Sequence, residues 1–117
     1  MSEIVLYHNP RCSKSRAALA LLQSRELAVS VVPYLEAPPD ASALRELLAK
    51  LGLEARQLLR TGEEAYRELN LADPALDEDA LITAMAAHPK LIERPIAVCG
   101  ERAVVGRPPE RVLEILQ

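Results

Sequence analysis

The chain has 117 residues, room for one hydrophobic core and not two. Half of it is apolar by count, yet its aromatic residues are three tyrosines, so the core must be built from Leu, Val, Ile and Ala. With 14 Lys and Arg against 17 Asp and Glu the net charge is −3, which argues against a general affinity for nucleic acid and confines any anion site to a local cluster of cations.

In chain order, "IVLY" (4–7) is a short apolar run bounded by "HNP", the pattern of a strand buried on both faces in a parallel sheet. "SKSRAALALLQSR" (13–25) is rich in Ala and Leu and places Ala18, Leu19 and Leu22 on one helical face. "VSVVPYL" (29–35) is β-branched and interrupted by Pro33, which suits an edge strand or a strand end. In "SALRELLAKLG" Leu44, Leu47, Leu48 and Leu51 follow the i, i+3, i+4, i+7 spacing, with Asp40 or Ser42 as cap and Gly52 as stop. Helical segments are then expected over 54–60, 63–69 and 77–88, separated by Thr-Gly and Ala-Asp-Pro and ended by Pro89. "PIAVCGERAVVG" predicts strands over 96–99 and 103–105 around a Gly-Glu-Arg turn, and "PPERVLEILQ" a closing helix. The order β-α-β, helices, β-β-α predicts a mixed four-stranded sheet flanked by helices, an α/β fold in a single domain over 1–117. With no apolar surface stripe left unassigned, a monomer is expected.

No apolar run approaches the roughly 20 residues that span a bilayer. A strand starting by Ile4 leaves no room for a signal peptide, so a cytoplasmic protein with no membrane partner is expected. In a reducing compartment Cys12 and Cys99 do not form a structural disulfide, and each needs its own explanation.

Cys12 stands where strand gives way to helix. The thiolate is the nucleophile, and an unperturbed cysteine, near pKa ~8.5, is mostly protonated at neutral pH. A helix N-terminus offers free N–H groups and a positive dipole end, and Arg11, Lys14 and Arg16 add cations nearby. The Ser15 hydroxyl, one turn on, could donate to the sulfur, and the same features would hold a small oxyanion above it. The alternative for Cys12 is a small buried core residue. His8 either lowers the thiol's pKa as imidazolium or caps a backbone group. Cys99 alternates with Ala97 on an apolar strand with no basic neighbour until Arg102, and reads as a packing residue, with a resolving thiol as the lesser alternative.

The stretches "HNPRCSKSR", "LLRTGEEAYRELNL", "HPKLIERPIAV" and "GRPPERVLEIL" together resemble the ArsC-type arsenate reductase family, the glutaredoxin-coupled class, from about residue 4 to residue 116. The resemblance implies a thioredoxin-like fold with a helical insertion over about 40–90. It implies that Cys12 is the catalytic cysteine and that Arg60 in "LLRT", Arg94 in "ERPI" and Arg107 in "GRPP" bind the substrate, with His8, Ser15 and Arg16 in support. Guanidinium forks suit such a role, because they grip the oxygens of a tetrahedral anion bidentately and do not lose their charge. Arg94 and Arg107 each precede a proline, which favours extended backbone. The Arg94–Pro95 bond resembles the cis-proline beside the active cysteine of thioredoxin-like folds.

The implied activity is reduction of arsenate or a similar small oxyanion, with glutathione as reductant, glutaredoxin as partner, and no bound metal or other cofactor. Many family members read Cys-Gly-Thr-Ser-Arg where this chain has Cys-Ser-Lys-Ser-Arg, a version that resembles a branch of reductase-related proteins. Ser15 stands where a Cys-x-x-Cys protein has its second thiol, so a thiol must be borrowed. Arsenate reductases built on a phosphatase loop need Cys-x5-Arg, and that position is Ala18. Two other functions remain in view: a Spx-like redox regulator that binds RNA polymerase, disfavoured by Ser15 and the arginine set, and a thiol-disulfide oxidoreductase acting on glutathionylated proteins, which would not need those arginines.

Overall fold

A computed structural model describes residues 4–25 and 28–116. Contacts divide the chain into two compact units, one formed by residues 1–37 and 94–117, the other by 38–93.

The first unit is a mixed four-stranded sheet with a helix and a C-terminal 3-10 segment. Its strands are β1 (Ile4–Tyr7), β2 (Val29–Val32), β3 (Ile96–Cys99) and β4 (Arg102–Val105), in the spatial order β2-β1-β3-β4. β1 pairs parallel with β2, Leu6 opposite Val31, and antiparallel with β3, Leu6 opposite Ala97. β3 and β4 form the expected hairpin, Ala97 opposite Val104, turned by Gly100 at a φ of 62°, a region that glycine enters without steric penalty. β2 is an edge strand, and it stops before Pro33, which has no N–H to donate to a ladder. The arrangement is the thioredoxin-like mixed sheet expected for this chain.

Helix α1 (Ser13–Ser24) buries Ala18 and Leu22 beside Ile4, Leu6, Ala97, Val104, Val112 and Ile115 in one apolar cluster. Each buried Leu contributes roughly 1.5–3 kcal/mol. β1 is less enclosed than expected. Ile4 and Leu6 are buried while Val5 and Tyr7 are half-buried, because packing covers the two faces of the strand unequally. The closing element differs too: Pro109–Leu116 winds as a 3-10 helix, with Arg111 N–H donating to the Pro108 carbonyl at 3.0 Å. Gln117, expected at its end, lies outside the described residues.

The second unit is helical. α2 (Ala41–Leu51) starts at Asp40, whose carboxylate accepts the Ala43 N–H at 2.8 Å, and stops at Gly52 in the left-handed region, φ 68°. Its buried residues, Leu44, Leu47 and Leu48, are those the periodicity singles out. α3 (Ala55–Leu58), α4 (Glu64–Glu68) and α5 (Glu78–Ala87) follow, and a 3-10 turn at Pro89–Leu91 extends the chain beyond the point where Pro89 was expected to end it. An antiparallel bridge between Leu59 and Ile92 closes the unit. No helix among the described residues is long and apolar enough to cross a membrane.

Candidate active site

β1 runs into a five-residue loop that ends at Cys12, the N-cap of α1. Its backbone is extended there, φ −95° and ψ 122°. The Cys12 N–H donates to the Asn9 carbonyl at 3.0 Å, and its own carbonyl accepts the Arg16 N–H at 3.0 Å. A serine or aspartate at this position turns its side chain inward to accept a helix N–H. Cys12 makes no such bond, so its half-buried sulfur stands at the open end of the helix. The first turn of α1 holds no acidic residue, so nothing there opposes an anion.

The loop is tied down from several sides. His8 Nδ1 and Ser15 Oγ lie 2.6 Å apart, and the same oxygen accepts the Asn9 N–H at 3.0 Å. The Arg16 guanidinium donates to the Pro10 carbonyl at 2.9 Å, Arg11 N–H to the Asn9 side-chain oxygen at 3.0 Å, and His8 N–H to Val32 at the end of β2 at 2.9 Å. Burial first, and then the positive charge of Arg16, hold the His8 pKa below its ordinary 6.5. The ring is therefore neutral at neutral pH, so it does not act on the thiol as imidazolium, and its ring contact is the Ser15 hydroxyl rather than a backbone group. Ser15 Oγ meets His8 Nδ1 and Asn9 N–H, so its bonding partners among the described residues are these two and not the sulfur that the sequence suggested.

The register of the sheet brings two arginines to the same end. Tyr7, the last residue of β1, pairs with Ile96, the first of β3, and Ile96 pairs with Val105, the last of β4. Arg94, just before β3, and Arg107, just after β4, therefore flank the sheet edge from which the Cys12 loop departs. Arg107 Nη1 donates to the Arg94 carbonyl at 3.1 Å, and Gly106 N–H to the Pro95 carbonyl at 2.8 Å. The Nε and Nη1 atoms of Arg94 are buried. The Arg94–Pro95 and Arg107–Pro108 peptide bonds are both cis, and the family resemblance points only to the first.

Arg60 belongs to the helical unit. Its N–H donates to the Leu91 carbonyl at 2.8 Å beside the Leu59–Ile92 bridge. Its guanidinium pairs with two carboxylates, Nη1 with Glu63 and Nε with Glu93 at 3.6 Å. The Glu63 partner was legible as an i, i+3 neighbour, whereas Glu93 was not, since the tertiary bridge alone brings it near. Among the described residues no three His, Cys, Asp or Glu side chains converge as a metal-ligand set.

A nucleophile-type residue at an unopposed helix start, with two guanidinium groups at the same sheet edge, is an arrangement suited to a small oxyanion. Comparisons with known proteins agree with this chemistry. The model of the ArsC family matches residues 7–115. The chain is 56% identical over 115 residues to YfgD of Escherichia coli strain K12, described as uncharacterized, covering 97% of both chains. It is 52% identical over 117 residues to an arsenate reductase of Neisseria meningitidis serogroup A, covering 99% of this chain and all of the other. The solved structure of an arsenate reductase from Vibrio cholerae superposes with a TM-score of 0.95 at 56% identity, covering 97% of this chain and 98% of that one. By the extent of the family match and the identity of these relatives, the chain belongs to the ArsC family.

Proposed function

We propose that this protein is an arsenate reductase in which Cys12 is the nucleophile and glutathione the reductant. The observation that carries the reading is the position of Cys12 at the N-cap of α1, with its side chain uncommitted to capping, at the sheet edge that also bears Arg94 and Arg107. The family match and the arsenate reductases among the relatives support the substrate.

In the first step the Cys12 sulfur attacks arsenic(V), a sulfur–arsenic bond forms, and one arsenate oxygen leaves as water. The helix N-terminus and the cations of Arg94 and Arg107 stabilise the charge on the remaining oxygens, and Arg60 is assigned as a third cation from its "LLRT" motif. The glutathione thiol then attacks the Cys12 sulfur. The sulfur–arsenic bond breaks with its electron pair left on arsenic, arsenite departs, and Cys12 remains as a mixed disulfide with glutathione. Two thiols lose the two electrons that arsenic gains. Glutaredoxin removes the glutathionyl group and restores the thiol. His8, Ser15 and Arg16 hold the loop that presents Cys12. A reaction that consumes glutathione and needs glutaredoxin belongs to a reducing compartment, so the cytoplasm is the proposed location.

The test is arsenate-dependent NADPH oxidation with glutathione, glutaredoxin and glutathione reductase, comparing the wild type with Cys12→Ser. Turnover that the variant abolishes supports the reading, and no arsenate-dependent rate with the wild type overturns it.

A further inference from the structure

A cavity of about 230 Å³ opens beside the Cys12 loop, between that loop and the segment that follows β2. Pro33 and Leu35 supply apolar lining, while Arg11 and Glu36 place one charge of each sign in it, with His8, Asn9 and Pro10 completing the wall. Among the described residues neither the Arg11 guanidinium nor the Glu36 carboxylate has an ion-pair partner. Their backbones are fixed all the same. Arg11 N–H is bonded to the Asn9 side chain at 3.0 Å and Glu36 N–H to the Pro33 carbonyl at 2.9 Å.

We propose that this cavity seats the γ-glutamyl end of glutathione, with Arg11 on its α-carboxylate, Glu36 on its α-ammonium and Pro33 and Leu35 along its methylenes. The inference rests on the reading of Cys12 as a thiol resolved by glutathione. A zwitterion is the ligand that two opposite charges on the wall of one cavity recognise, because either charge alone would accept simple anions or cations. Size points the same way. Pockets that enclose a drug-sized ligand run to roughly 300 Å³ and above, so this cavity takes one end of the tripeptide and leaves the cysteinyl-glycine part outside. Arg11 directly precedes Cys12 in the loop that walls the cavity, and the lining ends there, so a tripeptide anchored here is held on the same loop that carries the nucleophile. The gain is positional, as the glutathione thiol, or the glutathionyl disulfide once formed, is held against Cys12 rather than met by diffusion.

The experiment uses disulfide exchange, which needs no arsenate. Cys12 attacks glutathione disulfide, forming the Cys12–glutathione disulfide and releasing one glutathione thiolate, and the rate is followed by mass spectrometry of the intact protein. The comparison probe is the disulfide of N-acetyl-cysteinylglycine, in which an uncharged acetyl group replaces the γ-glutamyl end. The wild type is expected to react about tenfold faster with glutathione disulfide than with the probe. Glu36→Gln should remove most of that preference while leaving the rate with the probe within about twofold, and Arg11→Ala should lower the ratio of the two rates likewise. A ratio near one in the wild type, or a ratio that neither substitution changes, overturns the proposal. Failure of the arsenate reading is seen separately, as a preference for glutathione disulfide that persists in a protein without arsenate-dependent NADPH oxidation.

Discussion

His8 Nδ1 and Ser15 Oγ lie 2.6 Å apart, both side chains buried and one on each side of Cys12 in the sequence. The Asn9 N–H shares that oxygen, so a single hydroxyl satisfies a ring nitrogen and a backbone donor at once. Ser15→Ala leaves both without a partner, and a buried polar group so orphaned costs about 1–3 kcal/mol. Urea unfolding should therefore show a stability loss of that size. An unchanged midpoint would mean that water replaces the hydroxyl without penalty.

The same contact carries a pH dependence. Burial and the Arg16 charge lower the folded-state pKa of His8 below 6.5, so the unfolded chain binds a proton that the folded one resists. Stability from this group is complete above pH 6.5 and declines as the pH falls from there toward the lowered value. Urea midpoints measured between about pH 8 and pH 5 should fall with acid, and His8→Gln should flatten that part of the curve. Parallel profiles for the two proteins would show that the acid sensitivity comes from other groups.

Arg60 is held by Glu63 and Glu93, so in the role proposed for it an oxyanion would compete with two carboxylates. All three side chains are about a quarter exposed, and a pair of this kind is worth about 1 kcal/mol or less after screening. Glu63→Gln should lower the KM for arsenate by up to about fivefold with kcat little changed, and Arg60→Ala should raise it by tenfold or more. A KM for Glu63→Gln equal to or above that of the wild type would show that Glu63 positions the arginine rather than competing for it.

Gly106 precedes Arg107 at a point where the backbone passes close to two side chains. A Cβ built there would sit 2.7 Å from Val112 Cγ1 and 2.9 Å from Pro95 Cγ. Both neighbours are buried, so neither can swing clear. Gly106→Ala should destabilise the fold by about 1–3 kcal/mol through overpacking. It should also weaken arsenate binding by displacing the Arg107–Arg94 contact. A thermal midpoint equal to that of the wild type would contradict the close approach.

Cys99 lies on β3 opposite Ile4 and Arg102, half-buried against the sheet core. If its role is packing, it is dispensable for chemistry. Cys99→Ala should keep arsenate turnover within about twofold of the wild type and cost at most about 2 kcal/mol for the smaller side chain. A loss of turnover comparable to that of Cys12→Ser would instead make Cys99 a resolving thiol.

Much of the architecture follows from short-range chemistry that a bare chain displays. Asp40 and Gly52 bound α2 because a carboxylate reaches its own helix N–H groups and glycine alone enters the left-handed region freely, whatever the rest of the protein does. Pro33 ends β2 and Cys12 stands at the start of α1 for equally local reasons. The motifs around Cys12, Arg60, Arg94 and Arg107 were readable in the same way, as fixed residue types at fixed places along the chain. The partners of those residues were not, apart from Glu63, which stands three positions after Arg60. The contact of Ser15 with His8, the grip of Glu93 on Arg60, the Arg107–Arg94 bond and the cavity between Arg11 and Glu36 all join positions whose separation in space is set by strand register and loop packing. A polar side chain has several partners within reach of its composition, and which one it meets is settled only when the apolar core has fixed the backbone on which each side chain stands.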